Sequence, residues 1–118
     1  MRIILVRNAE HIGEEKHFWA GKEVGLTQKG EKQAELLCKR LEKENIDAIY
    51  SSDFMRAIKT IQPLPEELRL DIAQNPDFRP FNMGKFMGWT EQATIEVLGE
   101  KTWQEIITNP NPKKRYFD

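Results

Sequence analysis

The chain has 118 residues, 39% hydrophobic and 31% charged, which suits one soluble domain over 1–118 and is too short for two ordinary ones. Eighteen basic against nineteen acidic residues leave a net charge of −1, which argues against a general nucleic-acid or acidic-membrane binder and makes any phosphate site a local one. A chain of this length buries roughly 60 to 70% of its unfolded surface, enough to do without disulfide or metal staples; the lone cysteine, Cys38, agrees. The early apolar run Ile3 to Val6 is far shorter than the roughly 18 residues of a membrane span and lacks a cleavage region, so a cytoplasmic protein without metal or cofactor is expected.

In chain order, residues 2 to 7 (Arg-Ile-Ile-Leu-Val-Arg) form a β-branched and aliphatic run, the pattern of a strand covered on both faces in a parallel sheet. Asn8 to Gly25, with glycines at 13, 21 and 25, reads as a long loop across the top of that strand. Thr27 is a good N-cap, and Ala34, Leu37, Cys38 and Leu41 recur at the spacing of one buried helical face, giving a helix that ends near Asn45. Ile46 to Tyr50 is a second short strand; Ser51-Ser52-Asp53 supplies cap-type residues for a helix from Phe54 to Ile61, stopped by Pro63. A third strand is expected around Leu70 to Ala73, followed by an irregular stretch through Gly84 and Gly88. Thr90 caps a helix to about Leu98, Trp103 to Ile107 adds a turn or two before Asn109-Pro110-Asn111-Pro112, and the last six residues read as a tail.

Alternating strands and helices imply right-handed crossovers and a parallel α/β sheet, whose ligands sit beyond the carboxyl ends of the strands. Arg7, Asn8, the Ser51-Ser52-Asp53 loop and Arg56 then share one edge. Two arginines there would suit a phosphate clamp, because guanidinium forks match phosphate geometry; the bland alternative pairs them with acids such as Glu10 and Asp53. Trp19, Trp89 and Trp103 read as core or loop anchors, Cys38 as a small buried hydrophobe, and Lys113-Lys114-Arg115 as a solvated basic run.

The segments Ile4-Leu5-Val6-Arg7-Asn8-Ala9-Glu10, Leu26-Thr27-Gln28-Lys29-Gly30, Tyr50-Ser51-Ser52-Asp53-Phe54-Met55-Arg56-Ala57 and Phe78-Arg79-Pro80-Phe81-Asn82-Met83-Gly84 resemble, in order and spacing, the motifs of the histidine phosphatase superfamily, the phosphoglycerate mutase-like group. The resemblance covers nearly the whole chain. It implies a three-layer α/β sandwich, here lacking its C-terminal strands, and phosphoryl transfer through a phosphohistidine.

The catalytic positions depart from the family pattern. Where the resemblance places the nucleophilic histidine, this chain has Asn8, whose amide nitrogen has delocalised its lone pair. Where it places the proton-donating glutamate of Leu-Arg-Glu, this chain has Pro80, and a general acid is typically worth about a hundredfold to ten-thousandfold in rate. The sequence stops at Asp118, before the family's second catalytic histidine, and His11 and His17 match neither catalytic position. The resemblance leaves an anion site: Arg7 and Arg56 at the phosphate-clamping positions, with Asn8 and Gly21 beside them and the opposing charge of Glu14 nearby.

The expectation is a degenerate, phosphatase-like protein without phosphoryl transfer, retaining a weak site for phosphate or a small phosphorylated molecule, with no nucleic-acid or membrane partner. The alternative is the N-terminal part of a phosphatase or mutase that acts on phosphomonoesters when complete. A pure protein-interaction module is a third reading. The resemblance also implies an unpaired edge along Ile3 to Val6, and with it a homo-oligomer or a complementary C-terminal fragment.

Overall fold

The computed structural model describes residues 1–109; the Lys113-Lys114-Arg115 run, the prolines at 110 and 112 and the expected tail lie outside them. The first element is a single helical turn, α1 (Ile12–Glu15), inside the stretch expected to be a loop. Four residues carry no readable periodicity. The turn forms because His11 caps it, its Nδ1 accepting the Glu14 amide at 3.2 Å.

Helix α2 (Gln28–Leu41) begins where Thr27 accepts the Gly30 amide at 3.0 Å, and it buries Gly30, Ala34, Cys38 and Leu41 along one face. It stops at Leu41 rather than near Asn45, since the Glu44 amide turns back to the Leu41 carbonyl at 2.9 Å. The chain then enters β1 (Ile49–Ser51), which pairs in parallel with β2 (Ile72–Gln74) in the register Ile49–Ile72, Tyr50–Ala73 and Ser51–Gln74. The crossover between them is two helices, α3 (Met55–Ile61) and α4 (Pro63–Leu68).

Pro63 therefore starts a helix as well as ending one: at a first helical position its missing N–H costs nothing and its ring already holds a helical φ. α4 ends at Arg69, in the left-handed region at φ 55°. Cys38, Leu41, Ile49 and Leu64 make the core of this half, with Ile61, Leu70 and Ile72 packed against it. The protein is thus α/β with a small parallel sheet, two strands wide among the described residues.

The expected strand at residues 2 to 7 is absent from that sheet. An apolar strand in a parallel sheet needs a backbone ladder and cover on both faces, and this segment has neither: Ile3 is 69% and Leu5 92% exposed. Side chains of the segment make surface ion pairs, Arg2 with Glu44 at 3.0 Å among them, but its backbone is first held at Ala9, whose amide donates to Thr60 Oγ1 at 3.0 Å.

The remaining third packs separately. Thr90 accepts the Ala93 amide at 3.2 Å and opens α5 (Glu91–Leu98) as the sequence indicates. Helix α6 (Glu100–Thr108) starts earlier than expected and is longer. Met83, Phe86, Trp103 and Ile106 form its core. Trp19 joins them, its ring 5.5 Å from that of Trp103 and its indole N–H donating to Thr94 Oγ1 at 2.9 Å. Trp19 and Trp103 are core anchors, and Cys38 is buried, its thiol pushed up by that burial. No described helix is long and apolar enough to cross a membrane.

Candidate functional site

The sequence-predicted site residues other than Gly21 divide between two clefts. Arg7, Asn8 and Thr60 line an open one of about 440 Å3 between the N-terminal segment and α2. His11, Arg56 and Pro80 line the other, about 630 Å3, whose walls come from residues 18–20, 80–87 and the α5–α6 region.

On the first side the backbone is stapled by polar contacts at residues 9 and 10. Thr60 Oγ1 accepts the Ala9 amide and donates to the Arg56 carbonyl at 2.7 Å. The Glu10 amide donates to Gln33 Oε1 at 2.8 Å, and the Glu10 carbonyl accepts the Thr27 amide at 3.0 Å. The carboxylate of Glu10 accepts from Thr27 Oγ1 at 2.8 Å and pairs with Lys29 at 3.3 Å. These donors hold its pKa below the usual carboxylate value. Gly30 permits the crossing: a Cβ there would stand 2.0 Å from the Glu10 carbonyl oxygen.

Asn8 and Pro80 are both exposed. Arg7 is 86% exposed at its side chain and donates to Glu14 Oε1 at 2.7 Å. Its carboxylate partner is therefore Glu14, and the negative charge flagged at that position sits on the arginine fork.

Arg56 is in a different situation. It is 7% exposed, its Nη1 donates to the carbonyls of Gly21 at 2.9 Å and Ala20 at 3.3 Å, and its guanidinium lies 4.7 Å from the Phe54 ring centre. It forms no ion pair among the described residues, and burial lowers its pKa. The Nε and Nη2 atoms make no hydrogen bond among the described residues, yet no fully buried described side-chain nitrogen or oxygen lacks a partner. Those atoms are therefore not fully sealed from solvent, on a residue that lines the second cleft.

Gly21 serves here through its carbonyl; a Cβ on it would meet only Met87 Cγ at 3.8 Å, an ordinary contact.

Asp53 takes other partners. It accepts two bonds from Arg79, one of them from Nε at 2.7 Å, and pairs with Lys22 at 3.1 Å. Arg79 foremost, then Lys22, hold its carboxyl far below the ordinary range. This pairing ties the segment carrying Pro80 to the start of α3, while the Met55 amide bonds the Lys22 carbonyl at 2.9 Å. Neither expected pairing, Arg7 with Glu10 or Arg56 with Asp53, forms.

His11 joins the two sides. Burial lowers its pKa, as do the charges of Arg56 and Arg7, against Glu14. Because Nδ1 accepts the Glu14 amide, the neutral ring carries its proton on Nε2. His11 lines the Arg56 cleft in that tautomer.

The family model for the histidine phosphatase superfamily (branch 1) matches residues 3–115. The chain belongs to that superfamily. It is 29% identical over 108 residues to phosphoserine phosphatase 1 of Hydrogenobacter thermophilus, a match spanning 89% of this chain and 51% of that protein. Among solved structures, a phosphoglycerate mutase from Bacillus anthracis superposes with TM-score 0.73 at 25% identity, over 85% of this chain and 48% of that one. An α-ribazole phosphatase from Shigella flexneri superposes with TM-score 0.78 at 19% identity, over 91% and 55%, and shows a shared fold. The chain spans about half the length of the curated relatives it matches.

Within this histidine phosphatase frame, sequence reasoning missed Thr60, the Glu10–Thr27–Lys29 group and the Asp53–Arg79–Lys22 cluster. Thr60 lies one helical turn beyond Arg56, so the spacing i, i+4 was the available signal. The Asp53–Arg79 pair spans 26 residues, and no local pattern announces it.

Proposed function

We propose that this member of the superfamily binds a phosphate or small phosphomonoester weakly at Arg56, with the Nε2 proton of His11 as a second donor, and does not transfer the phosphoryl group. One observation carries the reading: neither candidate nucleophile offers a free nitrogen lone pair. Residue 8 is an amide, and His11 Nδ1 is occupied by the Glu14 amide. Pro80 at the cleft edge has no proton to give a leaving oxygen. The Arg7 and Gly21 positions of the clamp contribute little, since Glu14 holds one and the other points its carbonyl at Arg56.

The test is phosphate release from glycerol phosphate, whose alkoxide leaving group needs a proton. The wild-type chain and Asn8→His are both expected to stay at the buffer rate, because the substitution restores a nucleophile without an acid. Release by the purified wild-type chain overturns the proposal.

A second reading has the chain acting with further polypeptide, either another copy or a complementary C-terminal fragment, as part of a phosphomonoester-processing enzyme. It is favoured by the exposed, unladdered apolar residues Ile3 and Leu5. Sedimentation equilibrium tests the self-association arm: a dimer that Leu5→Lys dissociates supports it, and a monomer at all concentrations removes it.

A further inference from the structure

The cleft beside Arg56 has a composition unlike that of a polar sugar or amino-acid site. Its walls include Trp19, Met83, Met87, Trp103, Ile106 and Ile107. Trp103, Met83 and Ile106 are fixed in the hydrophobic core beneath it, while Ile107 is 54% exposed at its rim. Its volume of about 630 Å3 lies within the range of small-molecule sites. The guanidinium of Arg56, which lines this cleft, has Nε and Nη2 without a hydrogen bond and no carboxylate partner among the described residues, so the charge complement it calls for is an anion. Glu91 also lines the cleft and disfavours any anionic group on the ligand beyond its phosphate.

We infer that this cleft takes a phosphomonoester of an aromatic or comparably flat apolar alcohol, with the phosphate on Arg56 and His11 and the apolar body against Trp19, Met87 and Ile107. The inference rests on the anion-binding reading above and adds the ligand's chemical class. Inorganic phosphate or glycerol phosphate would engage the donors and leave the aromatic wall wet. An aryl phosphate removes both from water at once, and burying ~60 Å2 of apolar surface corresponds to roughly tenfold in affinity.

The experiment is a titration of the full chain with inorganic phosphate, glycerol phosphate and phenyl phosphate at one ionic strength, followed by tryptophan fluorescence and calorimetry. The expected result is phenyl phosphate binding at least roughly tenfold tighter than glycerol phosphate, with the ratio falling severalfold in Ile107→Ser. Circular dichroism checks that the variant is folded, and the wild-type ratio stands without it. Equal binding of all three overturns the aryl preference and leaves the anion site intact. Failure of all three, inorganic phosphate included, overturns the anion reading together with this one.

Discussion

Arg7 and Arg56 are the two arginines that the motif resemblance would pair as a phosphate clamp, yet the fold treats them oppositely. Arg7 sits at the end of an unpaired, solvent-facing segment and spends its fork on Glu14, a surface contact of the kind worth about 0–1 kcal/mol. Arg56 is buried on α3, held by two carbonyls and an aromatic face, and lines a cleft. The lesson is that a motif position fixes which residue is present, while its neighbours decide whether the charge is available. In this chain one arginine is neutralised and the other is preorganised.

The comparison breaks most severely at Gly30. Gly30→Ala would drive a Cβ into the Glu10 carbonyl and separate the Arg7 side from α2; a loss of about 3 kcal/mol is expected in denaturant melts. Arg56→Ala should cost about 2 kcal/mol, because the Ala20 and Gly21 carbonyls lose a charged donor. It should also abolish phosphate binding in a titration at a temperature where the variant stays folded. Thr60→Val leaves the buried Ala9 amide without its acceptor, and about 1.5 kcal/mol should disappear from the same melts.

Two smaller effects sharpen the contrast. Glu14→Gln frees the Arg7 fork, and phosphate affinity should rise about threefold at low salt, with the gain vanishing near 0.5 M salt. His11 has a folded pKa below its unfolded value of 6.5. Its contribution is therefore complete above that value and is lost as pH falls below it toward the folded pKa, since the unfolded state takes up the proton first. Protonating Nδ1 would also break the α1 cap. The melting temperature should thus drop between pH 7.5 and 5.5, and His11→Asn, which keeps a capping oxygen, should lose that part of the drop.

Much of the fold was legible because its signals are local. Thr27 and Thr90 cap helices through their own hydroxyls, and the Ala34–Cys38–Leu41 face follows from helical period alone. Residues 2 to 7 misled because a hydrophobic run specifies a strand's appetite for cover without supplying a partner to cover it. Pro63 misled because the same ring that ends one helix is favourable at the start of the next. Resemblance located Arg7, Asn8, Arg56 and Pro80 in the sequence, but their division between two clefts depends on long-range pairs such as Asp53–Arg79 and Ala9–Thr60. Periodicity carries no information about those.

A phosphorus NMR titration of phenyl phosphate with the purified chain reads binding and turnover in one sample. The ester signal should broaden with added protein, sharpen again in Arg56→Ala, and persist for days without an inorganic phosphate peak growing beside it. A growing inorganic phosphate peak, or an ester signal that stays sharp with the wild-type chain, would contradict an anion site that binds without transferring.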